Sequence, residues 1–371
     1  MSGLLSRRAW IGAFSRGINV KTDFPGGNIG QVEVVNDVFL RARVAGQKDQ
    51  DGRNRQANWY YFEVHGAPQG RDFRIDLMDL PGEYNYQPNR GAVTKDTRPH
   101  VWMAGQWRPC DGEFEEGEPK WMLRIPSDGQ PFRIAHIVPY VERDLRALQR
   151  QIRPEVKRIG KTVQGRPIEL WTFNGNLPPD APTVWLMFRQ HAWESGSSWT
   201  ADGMLRQLPK GIIWKVLPCC DPDGVALGGV RFNRHGFDLN RNWDSPDDFR
   251  LRPEIAFQKA AIENWLRRKG RCDLFLSLHN TETSEYLEGP PGGVGQKLFG
   301  LLQSRTRFRP TRDYFTRMDW QGQGRANVIQ YLWTRHKAPA CLMELKVASV
   351  NYRDWQAFGP ELATSIAAAL S

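Results

Sequence analysis

The chain has 371 residues, 40% hydrophobic and 25% charged, with 15 tryptophans and a formal net charge of +10. That length exceeds the usual span of one core, so two domains are expected, and the composition excludes a disordered or collagen-like chain. No window approaches a transmembrane span, and the positive charge comes mainly from scattered arginines, which points weakly to acidic or carboxylate-bearing partners.

From the start to about Pro139 the sequence runs in short alternating stretches: "QVEVV", "VFLRARV", "NWYYFEVHG", "DFRIDLMDL", "HVWMAG", "KWMLRIP" and "FRIAHIVPY". Period-two alternation with β-branched and aromatic residues, punctuated by Gly, Pro, Asp and Asn, predicts an all-β sandwich-like domain over 1–139. Near Val141 the rhythm changes, because "VERDLRALQRQI" spaces Val141, Leu145, Leu148 and Ile152 as one face of a helix. Beyond it the apolar runs "PIELWTF", "TVWLMFRQ", "IIWKVLPC", "CDLFLSL" and "ACLMELKV" alternate with helical ones, "PEIAFQKAAIENWLRR" and "PELATSIAAAL". The expected fold of 140–371 is α/β, a mixed, mostly parallel sheet flanked by helices, with function at the carboxyl ends of its strands.

Five cysteines, Cys110, Cys219, Cys220, Cys272 and Cys341, form an odd set without CxxC spacing and read as reduced, buried residues of a cytoplasmic protein. In the first segment the apolar stretch after Arg7 and Arg8 is broken by Arg16 too early for an export signal. Nucleic-acid binding, which the charge alone would suggest, has no zinc-finger spacing, RNP-like stretch or helix-turn-helix signature behind it.

Four stretches carry chemistry. In "FRQHAWESGSSW", His191 and Glu194 stand where a strand turns into a helix, and His279 ends another strand run in "CDLFLSLHN", so two strands would deliver two imidazoles and one carboxylate to one edge. That is a donor set for a divalent metal. The glycine-rich "DPDGVALGGVRFNRHGFDLNRNW" offers Arg231 as a fixed charge able to face a developing oxyanion, and Asn240 and Arg241 as a grip for a carboxylate. In "CLMELKV", Glu344 sits inside an apolar strand, where an unpaired carboxylate costs several kcal/mol unless it has a partner or a task, such as general base.

In this order (HxxE, a PDG turn, "DLNRNW", a later His, then Glu in "ELK") the elements resemble the zinc carboxypeptidases of the M14, or funnelin, type. "DFPGGNIG", "NWYYFEV" and "AHIVPYVERDL" are similar to the N-terminal domain of the cytosolic carboxypeptidase-like subgroup. The resemblance implies His191, Glu194 and His279 as ligands of one zinc ion, Arg231 polarising the scissile carbonyl, Asn240 and Arg241 holding the substrate's terminal carboxylate, and Glu344 as general base. It implies peptide or protein C-termini as substrates, acidic ones being an attractive choice given the arginine surplus. Three departures stand out: Ala192 and Trp193 replace the family's Pro-Gly, Asp221 replaces the asparagine of its NPDG turn, and the substrate-closing tyrosine has two candidates, Tyr314 and Tyr331, neither assigned. An N-acyl amino acid deacylase of the aspartoacylase or succinylglutamate desuccinylase type resembles the same core and is the alternative. The N-terminal β domain argues against it, since in those relatives the extra β structure follows the core.

Overall fold

The computed structural model describes residues 17–89, 93–269, 271–318 and 325–371; the stretch on which the export-signal argument rests, residues 1–16, lies outside them. The β-rich half contains two five-stranded sheets. One runs in the order Asn19–Lys21, Tyr61–His65, Phe132–Ala135, His100–Met103, Gln106–Pro109, and the other Asp111–Glu115, Lys120–Pro126, Asp72–Met78, Phe39–Arg43, Val32–Asn36. Their facing side chains, Phe62, Val64, Phe132 and Ile134 from the first and Leu40, Phe73, Ile75, Leu77, Trp121, Leu123 and Ile125 from the second, pack into a single core. This is the sandwich that the alternation predicts. Two strands that pattern reasoning misses, Gln106–Pro109 and Asp111–Glu115, are mostly polar and largely solvent-facing; tight pairing with a neighbour makes them strands. The first is returned by a two-residue turn at Ala104 and Gly105, both with positive φ (48° and 78°), as a twisted hairpin requires. A small four-stranded sheet, built from Gln47–Lys48, Arg55–Gln56, Gly82–Tyr84 and Gln87–Asn89, completes this half.

After the helix Glu142–Ile152 comes a seven-stranded sheet in the order Glu155–Lys161, Pro167–Phe173, Ile213–Leu217, Thr183–Phe188, Leu274–Thr281, Ala340–Lys346, Tyr286–Glu288. The four strands from Ile213–Leu217 to Ala340–Lys346 are mutually parallel; the pairings outside them are antiparallel. The central strand shows why such runs are apolar throughout. Val184, Leu186 and Phe188 enter the core shared with the helices Ser195–Leu205, Gly293–Arg305 and Tyr352–Leu370. Trp185 and Met187 enter the one on the other face, shared with Pro253–Lys269 and Val328–His336.

The last helix starts at Tyr352, eight residues before the Pro360 where the sequence pattern places it, because Asn351 and Asp354 form a reciprocal cap and the missing N–H of Pro360 is tolerated inside. It lies against Ser195–Leu205 at backbone contact. A Cβ on Gly203 would sit 1.8 Å from the Gln356 carbonyl oxygen, and one on Gly359 2.4 Å from that of Thr200. Because the helix that follows Glu194 is seated this way, Gly203→Ala is expected to destabilise the protein by about 1–3 kcal/mol through overpacking. A lowered midpoint in urea with an unchanged m-value would register it, and an unchanged midpoint would refute the close contact.

Candidate metal centre and substrate pocket

Thr183–Phe188 leaves the sheet through Arg189, which adopts a left-handed backbone (φ 63°) and folds its buried guanidinium back over the chain. Arg189 Nε donates to the Ala192 carbonyl at 2.9 Å, and Nη1 donates to the Tyr140 carbonyl and Ser198 Oγ, each at 2.9 Å. The turn it pins presents His191 and Glu194 on the same side. Trp193, standing where a small residue would be expected, is no intrusion: its ring packs among Trp59, Tyr61, Ile137, Val347 and Trp355, between the two halves of the chain.

His191 Nδ1 lies 2.6 Å from Glu194 Oε1, and His279 Nδ1 2.9 Å from Glu194 Oε2. His279 reaches this point from within Leu274–Thr281, two residues before the strand ends. The far side of each ring is occupied. His191 Nε2 faces Asp238 Oδ1 at 3.0 Å, and His279 Nε2 faces Gln190 Oε1 and Ser277 Oγ, each at 3.0 Å. With Nε2–H donating to those oxygens, both rings would offer a metal ion a lone pair on Nδ1; with a proton on Nδ1 they stabilise the Glu194 carboxylate instead. Burial works against the Glu194 carboxylate, yet His191 and His279 hold its pKa down at about 2. Burial lowers His279, while His191, which faces two carboxylates, is raised despite burial.

Asp238 also accepts Arg231 Nε at Oδ2, 2.8 Å away, so a single carboxylate orients both a ligand candidate and the arginine beside it. Nη1 and Nη2 of Arg231 have no other hydrogen bond among the described residues, and Arg231 lines the adjoining pocket. Asn240 Oδ1 accepts the N–H of Val328, which directs its amide donors elsewhere, and Arg241 is steadied by donating to the Asn240 carbonyl at 2.8 Å. Glu344 is the register partner of His279 in the parallel pairing. Its Oε2 is buried without a hydrogen bond among the described residues, and burial together with Glu194 pushes its pKa well up, against the pull of Arg231 and Arg241.

A pocket of about 220 Å³ brings His191, Arg231, Asn240, Arg241, His279 and Glu344 together; Glu194 lies behind its wall. Arg317, Arg325, Tyr286 and Glu288 also line it. Sequence reasoning does not single out these four, nor Asp238, Gln190 and Ser277. Asp238 had a signal, an acid in the same short stretch as Asn240 and Arg241; the arginines lie in a connecting segment without periodicity. Neither tyrosine weighed for the substrate side lines the pocket. Tyr314 donates to the Pro290 carbonyl and Tyr331 is tied to Glu263; among the described residues Tyr286 lines the pocket.

Asp221 does what an asparagine would do in the turn: its Oδ1 accepts the N–H of Gly224 at 2.9 Å and caps the short helix Pro222–Leu227. It is buried, its Oδ2 has no partner among the described residues, and burial followed by Glu254 raises its pKa to about 8. A raised acid pKa means that its ionisation opposes folding as pH rises from about 4 to 8. Asp221→Asn should therefore stabilise the protein, by a margin that grows across that window. Urea midpoints of both proteins at pH 4.5 and 8 decide it, and a margin independent of pH would contradict the assignment.

The donor set suits zinc. Two imidazole nitrogens and a carboxylate oxygen lie within 4.8 Å of one another, and atoms holding an ion at about 2.1 Å stand roughly 3–4 Å apart. Glu194 Oε2, although 2.9 Å from His279 Nδ1, makes no aligned hydrogen bond among the described residues, an arrangement that suits an ion ligand. The α/β sheet thus carries this cluster at the carboxyl edge of its parallel strands, beside a cationic pocket. Residues 141–290 match the family model described as zinc carboxypeptidase (Peptidase_M14). It is 25% identical to cytosolic carboxypeptidase 6 of Caenorhabditis elegans over 70% of its own length and 61% of that protein's, so it spans less than two thirds of that relative. An uncharacterized protein of Zymomonas mobilis is 24% identical over 88% of this chain and 87% of its own. The crystal structure of a metallo-carboxypeptidase from Burkholderia cenocepacia shares the fold (TM-score 0.77, 18% identity, 95% of this chain and 98% of that one).

Proposed function

We propose that the protein is a zinc-dependent metallocarboxypeptidase that removes residues from the C-termini of peptides or proteins, favouring acidic ends, and that it works in the cytoplasm with residues 140–371 as its catalytic domain and 1–139 as a β domain. The observation that carries this reading is the convergence, on one pocket, of a carboxylate grip (Asn240, Arg241), the imidazoles of the candidate metal cluster and Glu344, whose Oε2 has no hydrogen bond among the described residues. A grip for a free chain end beside the reacting centre selects the last peptide bond. The acidic preference is supported by Arg317 and Arg325, two guanidinium-bearing residues in the pocket beyond the pair that faces the chain end and the oxyanion. Relatives named as cytosolic carboxypeptidases support the location, and among the described residues no helix is long and apolar enough to cross a membrane. The deacylase alternative is not favoured by the family match.

His191, Glu194 and His279 would hold the zinc ion. When bound, zinc supplies Lewis acidity and brings the pKa of water down to about 7. The chain does the rest. Arg241 and the Asn240 amide hold the substrate's terminal carboxylate and set the scissile bond against the cluster. Glu344 takes a proton from the attacking water and returns it to the departing amine. Arg231, aimed by Asp238, offers Nη1 and Nη2 to the oxyanion that forms on the scissile carbonyl.

A mixed peptide library incubated with the protein should lose C-terminal residues stepwise, with Asp and Glu ends trimmed fastest by mass spectrometry. Glu344→Gln or a chelator should abolish trimming; intact peptides with the wild-type protein would remove the peptidase reading. Arg241→Ala is expected to raise KM by about 10–100-fold for free C-termini, in line with loss of a charge-assisted bidentate contact of about 1.5–3 kcal/mol. Equal effects on C-terminally amidated peptides would refute the grip.

A further inference from the structure

We infer that Gln47, in the β-rich half, is a positioning residue for Arg231, so that the β domain takes part in shaping the site rather than merely covering it. The inference rests on the reading of Arg231 as the residue that faces the oxyanion. Gln47 Oε1 accepts three successive backbone N–H groups, those of Val230 (2.9 Å), Arg231 (2.7 Å) and Phe232 (2.9 Å), and Gln47 Nε2 donates to the Phe232 carbonyl at 2.6 Å. The segment from Gly228 to Arg231 belongs to no helix or strand, so its backbone conformation is not set by a ladder. Among the described residues none of the three N–H groups has another acceptor. Unpaired donors in a half-buried segment are costly, and one side-chain amide resolves all three while bending the chain around itself.

The held segment connects to the metal cluster in two ways. The Val230 carbonyl accepts the N–H of Trp193, between His191 and Glu194, at 3.0 Å. Arg231 Nε shares Asp238 with His191. The β-rich half also grips the same loop on either side of Gln47. Asn28 Nδ2 donates to the Gly228 carbonyl at 2.6 Å, and the Gln50 N–H donates to that of Gly236 at 3.1 Å. At Gly228 (φ 66°) the fit is tight enough that a Cβ would lie 2.5 Å from the Gly27 carbonyl oxygen. These flanking contacts anchor the loop; among the described residues of the β-rich half, Gln47 is the one whose side chain accepts the Arg231 backbone N–H.

The test uses the full chain with zinc bound and four variants: Gln47→Ala, Gln47→Glu, Arg231→Ala and the Gln47→Ala/Arg231→Ala double variant. Gln47→Ala should lower kcat about 10–100-fold, the scale of a slightly misplaced transition-state group, with KM within about threefold and zinc content unchanged. Gln47→Glu retains an oxygen for the three N–H groups and should recover most of the loss. On the Arg231→Ala background, Gln47→Ala should cost less than about twofold, because the group it positions is gone. Independent, multiplying losses, or an unchanged kcat in Gln47→Ala, would overturn the inference. If the wild-type protein trims no peptide, the peptidase reading fails by itself, and hydrogen exchange at Val230, Arg231 and Phe232 decides the role of Gln47. Faster exchange in Gln47→Ala sustains the positioning, and unchanged rates reject it.

Discussion

A carboxylate held in the protein interior between two imidazoles is the constraint on which the site depends. Glu194 is 2% exposed, and an ion taken out of water costs several kcal/mol unless opposite charge or hydrogen bonds replace the lost hydration. His191 and His279 meet that need from two neighbouring parallel strands, each ring turned by an oxygen on its far side. The buried guanidinium of Arg189 holds the turn between the ligand candidates, and a glycine-lined helix contact seats the helix that begins just after Glu194. A sheet with helices on both faces is rigid enough to keep three donor atoms within 4.8 Å without a loop having to close on them.

The division of labour between the halves follows from which surfaces each can bury. Trp59, Tyr61, Ala135 and Ile137 from the β-rich side and Trp193, Val230, Val347 and Trp355 from the other form a shared apolar cluster. Beside it a polar knot crosses the interface: Asn58 Nδ2 donates to Glu282 Oε1 at 2.6 Å, and His136 Nε2 lies 2.8 Å from the same oxygen. Glu282 lies three residues beyond His279, and Trp193 stands between His191 and Glu194, so the interface touches both segments that deliver the cluster. The aromatic ring at position 193 therefore packs against the β-rich half, away from the His191 and Glu194 donor atoms.

Charge in the pocket is uneven in a useful way. Four arginines line it against Glu288 and Glu344, and burial raises both carboxyls, so the local field favours an anionic ligand more than the formal count suggests. The net charge of +10 hints at this only weakly, because it sums charges spread along the whole chain.

Much of this was legible from residue order. The strand runs at 167–173, 183–188 and 340–346, and the first part of 274–281, are mostly apolar because both faces are covered, and such runs announce themselves without tertiary information. The chemistry-bearing residues stood out because they interrupt such runs or follow them at once: His191 and Glu194 after one strand, His279 within another, Glu344 inside a third. What composition and periodicity could not show is which of them meet, and what turns each one. Asp238 behind His191, Gln190 behind His279, Gln47 behind Arg231, and Tyr286 in place of Tyr314 or Tyr331 are contacts between segments far apart in the chain or joined by irregular loops. The sequence by itself determined the main strands, several of the helices and the donor types, because periodicity and side-chain chemistry are local. Only the tertiary structure decided the orientation of the rings, the hold on the Arg231 loop and the cationic lining of the pocket, because a hydrogen bond between distant residues exists only after the sheets have packed.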